Sequence, residues 1–212
     1  MSAARRDLFV LCPDIQWDAT LHAILERPDA LKIRPVTFEV RRVPGRTDGW
    51  VRSQGVAFLR PLRPTYDHAL MVFDHEGCHD PRAAGELEPA LDASLGVDWS
   101  DRGAAIVVEP ELEEWLVGAH RWLPNLIGTA GPSVREWWVA QGHWGDDCPK
   151  PERPKEALQD LLDARGVPRS SATYRKIAAG ASLSVDRCQS RSYQRFVAAL
   201  RRWFPPAGGS SP

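Results

Sequence analysis

His68-Ala69-Leu70-Met71-Val72-Phe73-Asp74-His75-Glu76-Gly77-Cys78-His79-Asp80-Pro81 passes from an apolar run to a cluster of acids and histidines. Its five consecutive apolar residues, Ala69 to Phe73, are too few for an ordinary helix. They suit a strand buried on both faces, as in a parallel sheet. The run stops abruptly at Asp74, and Gly77 breaks the pattern. Asp74 and Glu76 then stand at the strand's carboxyl end, where open α/β sheets place their binding sites. In an extended chain these two side chains point the same way and can converge on one cation.

Toward the N-terminus, Asp7 to Cys12 reads as another buried strand, ended by Pro13 and Asp14. A helix from Ile15 to Arg27 comes next, with Trp17, Leu21, Ile24 and Leu25 on one face and Pro28 as its stop. Asp14 at that turn is either a helix cap or a site residue. Val36, Phe38 and Val40 alternate with polar residues, which predicts a half-exposed strand near the sheet's edge. Residues 44 to 66 are rich in Gly, Pro and Arg, with a short helix around Trp50 to Leu59.

Toward the C-terminus, the chain turns at Asp80-Pro81. Glu86 to Leu95 is then helical, with Pro89 in its first turn or at a kink. Ala104 to Val108 is the next buried strand, and it runs into Glu109-Pro110-Glu111-Leu112-Glu113-Glu114-Trp115. Strands and helices therefore alternate, which predicts a mostly parallel sheet. Acids come after the first, third and fourth strands. If those strands are neighbours, Asp14, Asp74, Glu76 and Glu111 or Glu113 share one sheet edge.

The remainder is helical. Ser133 and Glu136 have capping-box spacing before a helix carrying Trp137 and Trp138. Pro154 opens a helix that ends near Gly166, Ser170 to Ala179 forms a shorter one, and Ser192 to Phe204 forms the last. The tail from 205 to 212 is expected to be disordered.

The chain has 212 residues, 43% of them apolar, enough to bury a core. No run approaches the roughly 18 apolar residues of a membrane span, and no signal-peptide core is evident. Cys12, Cys78, Cys148 and Cys188 lie far apart, which suggests neither a zinc knuckle nor a disulfide framework, so the expected compartment is the cytoplasm. The net charge of −1 hides an asymmetry: residues 150 to 202 carry +7 and the first 149 carry −8. Thirteen carboxylates between Asp67 and Glu114 face only Arg82 and Arg102. An acidic centre with a basic flank suits a metal-dependent enzyme acting on a polyanion, and equally two solvated surfaces of opposite sign.

Carboxylates that recur at the ends of successive strands repel one another unless a cation compensates, and hard Mg²⁺ or Mn²⁺ prefers such oxygens. Lys150, Lys155, Arg175 and Lys176 are the candidate phosphate contacts. His75-Glu76-Gly77-Cys78-His79 also spells H-E-x-x-H, the zinc-protease signature. That chemistry needs the motif on a helix, whereas here a strand precedes it, Gly77 lies inside it and Asp80-Pro81 comes at once after it.

Several segments together resemble the TOPRIM-like proteins of bacterial anti-phage defence, small relatives of the OLD and RloB nucleases. They are the turn at Asp14, Phe73-Asp74-His75-Glu76-Gly77, Pro110 to Trp115, the Lys-Pro and Pro-Lys-Glu-Ala-Leu elements around 150 to 158, Tyr174-Arg175-Lys176, and Cys-x-Ser-x-Ser-x-x-x-Phe ending at Phe196. More narrowly, the chain looks like the small TOPRIM-like component of a methylation-associated defence system. The resemblance implies a TOPRIM-like α/β domain over residues 1–120, with a mostly parallel central sheet flanked by helices, and a helical C-terminal extension over 121–204. It also implies Mg²⁺ or Mn²⁺, action on nucleic-acid phosphodiesters, and other defence-system proteins as partners. By position, Asp14 matches the first TOPRIM acid, Asp74 and Glu76 the Asp-x-Asp pair, and Glu111 and Glu113 the later acids. Asp14, Asp74, Glu76 and Glu113 are thus the catalytic candidates, and Asp14, Asp74, Glu76 and Glu111 the metal ligands. Asp14 is one methylene shorter than the usual Glu, and Glu76 one longer than the usual Asp. A contrasting expectation is a non-catalytic recognition or assembly subunit that presents the Trp-rich segment from 115 to 144 to a partner.

Overall fold

The computed structural model describes residues 5–118, 123, 133–145, 147–148, 150–180 and 190–206. Four strands, β1 (Arg6–Cys12), β2 (Phe38–Arg42), β3 (Tyr66–Asp74) and β4 (Gly103–Val108), form one all-parallel sheet in the order β2-β1-β3-β4. This is the parallel α/β arrangement, with helices on the sheet's faces, that the alternating apolar runs predict.

Period-two alternation sends successive strand residues into two separate cores. Leu8, Val10, Cys12, Leu70, Val72, Ile106 and Val108 face one. Phe9, Leu11, Ala69, Met71, Phe73, Ala105 and Val107 face the other. Both faces are covered, which is why the runs are apolar without a break. The second core is roofed by α3 (Asp48–Leu59) and α5 (Ala84–Trp99). The first is roofed by α1 (Ile15–Leu25), α6 (Glu113–Val117), α7 (Val134–Ala140), α8 (Pro154–Ala164), α9 (Ser171–Gly180) and α10 (Arg191–Trp203). The two short helices are α2 (Pro28–Leu31) and α4 (His75–Cys78).

Local signals explain several boundaries. The Asp14 carboxylate accepts the Trp17 N–H at 2.9 Å and caps α1. Ser133 and Glu136 close the expected capping box, and Pro154 occupies the first turn of α8.

Four readings need correction. The edge strand lies two residues later than the alternation suggested, at Phe38–Arg42. Pro89 is in the second turn of α5, beyond the first-turn position where its missing N–H carries no cost. Residues 75 to 78 form one helical turn instead of continuing extended, so Asp74 and Glu76 do not project in parallel. Finally, Trp115, Trp138 and Trp144 are core residues, which removes them as a partner-facing surface. Trp122, Cys188 and the tail from 207 onward lie outside the described residues. No helix among the described residues is long and apolar enough to cross a membrane.

Candidate acidic site

The strand order creates the site. From β1 the chain moves to β2 on one side and then returns to β3 on the other. The sheet's switch point is therefore between β1 and β3, and the crevice beyond their carboxyl ends is where open α/β sheets bind ligands. Asp14 leaves β1 and Asp74 ends β3 at that crevice. Both line one cleft, together with Glu113, Lys155, Arg169 and Tyr174.

Asp74 is half-buried and accepts the indole N–H of Trp17 at 3.1 Å. Its own main-chain N–H donates to the Asp48 carboxylate at 2.8 Å. Burial and then the charges of Asp48, Glu113, Asp14 and Glu111 push the Asp74 carboxyl well above the usual carboxylate range. Asp48 is raised too, by burial first and by the nearby Asp14, against the lowering effect of the N–H groups it accepts.

The segment after β4 supplies three closely spaced buried acids, each with its own donor. Glu111, Glu113 and Glu114 are 5%, 5% and 7% exposed, so partners are required. Lys155 donates to Glu111 at 2.7 Å, Tyr174 donates its phenolic O–H to Glu113, and Lys150 pairs with Glu114. Glu111 is raised by burial, with the Lys155 hydrogen bond opposing that and Glu113 and Glu76 adding to it. Burial lowers Lys155, but Glu111, Glu113 and Asp74 outweigh it and hold the ammonium above its ordinary value. Burial and then Glu113 drive the Tyr174 phenol up, so it remains a donor.

The structure thus brings Asp14, Asp74, Glu113 and Lys155 to one cleft, with Glu111 joined to it through Lys155. Glu76 is exposed on the turn of α4; its charge reaches Glu111, but it is not part of the cleft wall. Lys150 is tied to Glu114, and Arg175 to Glu26 at 2.6 Å. Lys176 is exposed beside a different groove with Val167 and Ile177. His75 and His79 do not share a helix face: α4 ends at Cys78, His79 has a φ of +55°, and His75 Nε2 is hydrogen-bonded to the Arg82 carbonyl at 2.7 Å.

Sequence reasoning missed Asp48 and the polar role of Trp17. Asp48 opens α3 from a Gly/Pro/Arg-rich segment, and only Thr47-Asp48-Gly49 as a helix start marked it. Trp17 read as a core residue, and it is one, except for its N–H.

The donor chemistry fits a hard divalent cation: an oxygen-only set, crowded with like charge, with one ammonium at its rim. Among the described residues, no three His, Cys, Asp or Glu side chains stand ready as a ligand set.

No protein-family model and no curated protein matches the sequence. Among solved structures, the chain is similar to the C-terminal region of the Burkholderia pseudomallei OLD protein, with a TM-score of 0.49 and 15% identity, over 93% of this chain and 98% of that one. At that score and identity the likeness assigns no residue a role.

Proposed function

We propose that the acidic cleft is a divalent-cation site for phosphodiester hydrolysis, in a TOPRIM-like nuclease or nuclease-like subunit of an anti-phage defence system. The observation that carries the cation site is the convergence of Asp14, Asp74 and Glu113 on one cleft at the sheet's switch point, with Asp48 bonded to the Asp74 N–H behind them. Such a cluster is short of positive charge, and a cation relieves it. The nuclease and defence readings rest on the sequence resemblance, as does the division into a domain over 1–120 and an extension over 121–204, and the cytoplasmic setting rests on the cysteine pattern.

In this reading Asp74, Glu113 and Asp14 would hold Mg²⁺ or Mn²⁺, with Glu111 and Glu76 at the margin. A cation held there would supply Lewis acidity for phosphodiester hydrolysis. Trp17 and Asp48 fix Asp74, the first through its carboxylate and the second through its N–H. Tyr174 holds Glu113 against the cleft wall. Lys155 donates to Glu111 and compensates that buried carboxylate at the rim of the cleft.

The test is incubation of purified protein with plasmid, single-stranded DNA and RNA in Mg²⁺ or Mn²⁺, beside Asp74→Ala. Cleavage that needs the cation and is lost in Asp74→Ala supports the reading. Absence of cleavage on all substrates, or equal cleavage by the variant, rejects it.

A further inference from the structure

Two of the candidate phosphate-binding lysines are already engaged: Lys150 is held by Glu114, and Lys155, on the cleft wall, by Glu111, while Lys176 stands beside a different groove. A different pair of cations stands on the other side of the same sheet edge. The edge strand β2 ends in Arg42, which is in register with Cys12 at the end of β1, two residues before Asp14. The chain then turns through Val43-Pro44-Gly45-Arg46. Pro44 presets the second position, Gly45 has the positive φ of +72° that the third requires, and the Arg46 N–H donates to the Val43 carbonyl at 3.0 Å. Those are the features of a type II turn, a stiff connection that returns Arg46 beside the strand end.

Arg42 and Arg46 are both exposed. Among the described residues neither has a carboxylate partner, and the Arg46 guanidinium lies over the Trp50 ring, 5.6 Å from its centre. Arg41, by contrast, is neutralised by Glu39. The acids repel a polyanion, so a backbone that approaches Asp74 needs cations not already spent on carboxylates. Arginines suit that task, because the planar fork pairs with two phosphate oxygens at once.

We propose that Arg42 and Arg46, on the end of β2 and its Pro-Gly turn, form a binding site for the phosphate backbone of a nucleic-acid strand entering the acidic cleft. The identity of this occupant rests on the proposed nuclease function. The site itself needs no metal.

The test is fluorescence anisotropy of a short labelled DNA, single-stranded and duplex, in EDTA across a salt series. The proteins are wild type, Arg42→Gln/Arg46→Gln, Arg42→Lys/Arg46→Lys, and Arg60→Gln/Arg63→Gln as an equal loss of charge at the amino end of β3. The Gln pair at 42 and 46 is expected to weaken binding about tenfold and to lower the log-log salt slope on duplex by about 1.8. The Lys pair is expected to keep the slope, and the control pair to bind as wild type. Unchanged affinity and slope in Arg42→Gln/Arg46→Gln, an equal loss in the control, or no binding by wild type overturns the proposal. If that Gln pair binds normally while wild type shows cation-dependent cleavage, only this surface is wrong. If binding is lost in that pair and wild type never cleaves, the surface stands and the nuclease reading falls.

Discussion

Asp48 accepts the main-chain N–H of Asp74, with 2.8 Å between Oδ1 and N. The first residue of α3 therefore fixes the last residue of β3, where the strand meets the site. Asn can accept the same hydrogen bond and Ala cannot. Asp48→Ala is expected to speed hydrogen exchange of the Asp74 amide about fivefold, the equivalent of roughly 1 kcal/mol. Asp48→Asn is expected to exchange like wild type, and site-resolved exchange by NMR checks both.

Gly77 owes its identity to the same contact. A Cβ there would stand 2.8 Å from Asp48 Cγ and closer still to Oδ2. The short Asp48 side chain cannot yield without releasing the Asp74 N–H. Gly77→Ala is expected to cost about 1–3 kcal/mol and to reproduce the Asp48→Ala exchange pattern. Urea unfolding and amide exchange together test this.

Much of the sheet could be read from the residues because Leu8 to Cys12, Ala69 to Phe73 and Ala104 to Val108 are apolar on both faces, a pattern few surroundings other than a covered parallel sheet require. The edge carrying Asp14 and Asp74 could be read for the same reason, since each acid marks where such a run stops. Asp48 could not, because it lies 26 residues before Asp74 and only the tertiary fold joins them. Glu76 was misplaced because an extended continuation was assumed where a single helical turn forms. Lys150 and Lys155 read as free phosphate contacts, since nothing local shows that Glu114 and Glu111 are buried and must be paired.

Glu88 is a further residue whose role is purely tertiary. It is 1% exposed, accepts the Val107 N–H at 2.9 Å and Arg191 at 2.6 Å, and has Arg195 at 3.4 Å. It thereby ties α5 and β4 to α10. Glu88→Ala leaves the buried Val107 N–H and the Arg191 guanidinium without this acceptor, while Arg195 keeps Asp92 and the Ala105 carbonyl, so it is expected to destabilise by about 1–3 kcal/mol. Thermal and urea unfolding measure the loss.

Acid stability is expected to depend on Asp7, far from the cleft. Its hydrogen bond from Arg34 at 2.5 Å, aided by those from Thr37, lowers the carboxyl to about 2 against the opposing effect of burial. The ordinary value is about 3.9. The folded state thus favours the ionised form, and its contribution is complete above that ordinary value. It is lost as pH falls from about 4 through about 2. Asp7→Asn is expected to flatten this part of the stability curve, as monitored by urea unfolding at successive pH values.

If the carboxylates around Asp74 hold a divalent cation, calorimetric titration of metal-free protein with Mn²⁺ detects it. Wild type is expected to bind saturably, and Asp74→Asn and Glu113→Gln to bind at least about tenfold more weakly while melting as cooperatively as wild type. No heat of binding by wild type, or the same affinity in Asp74→Asn, would contradict it.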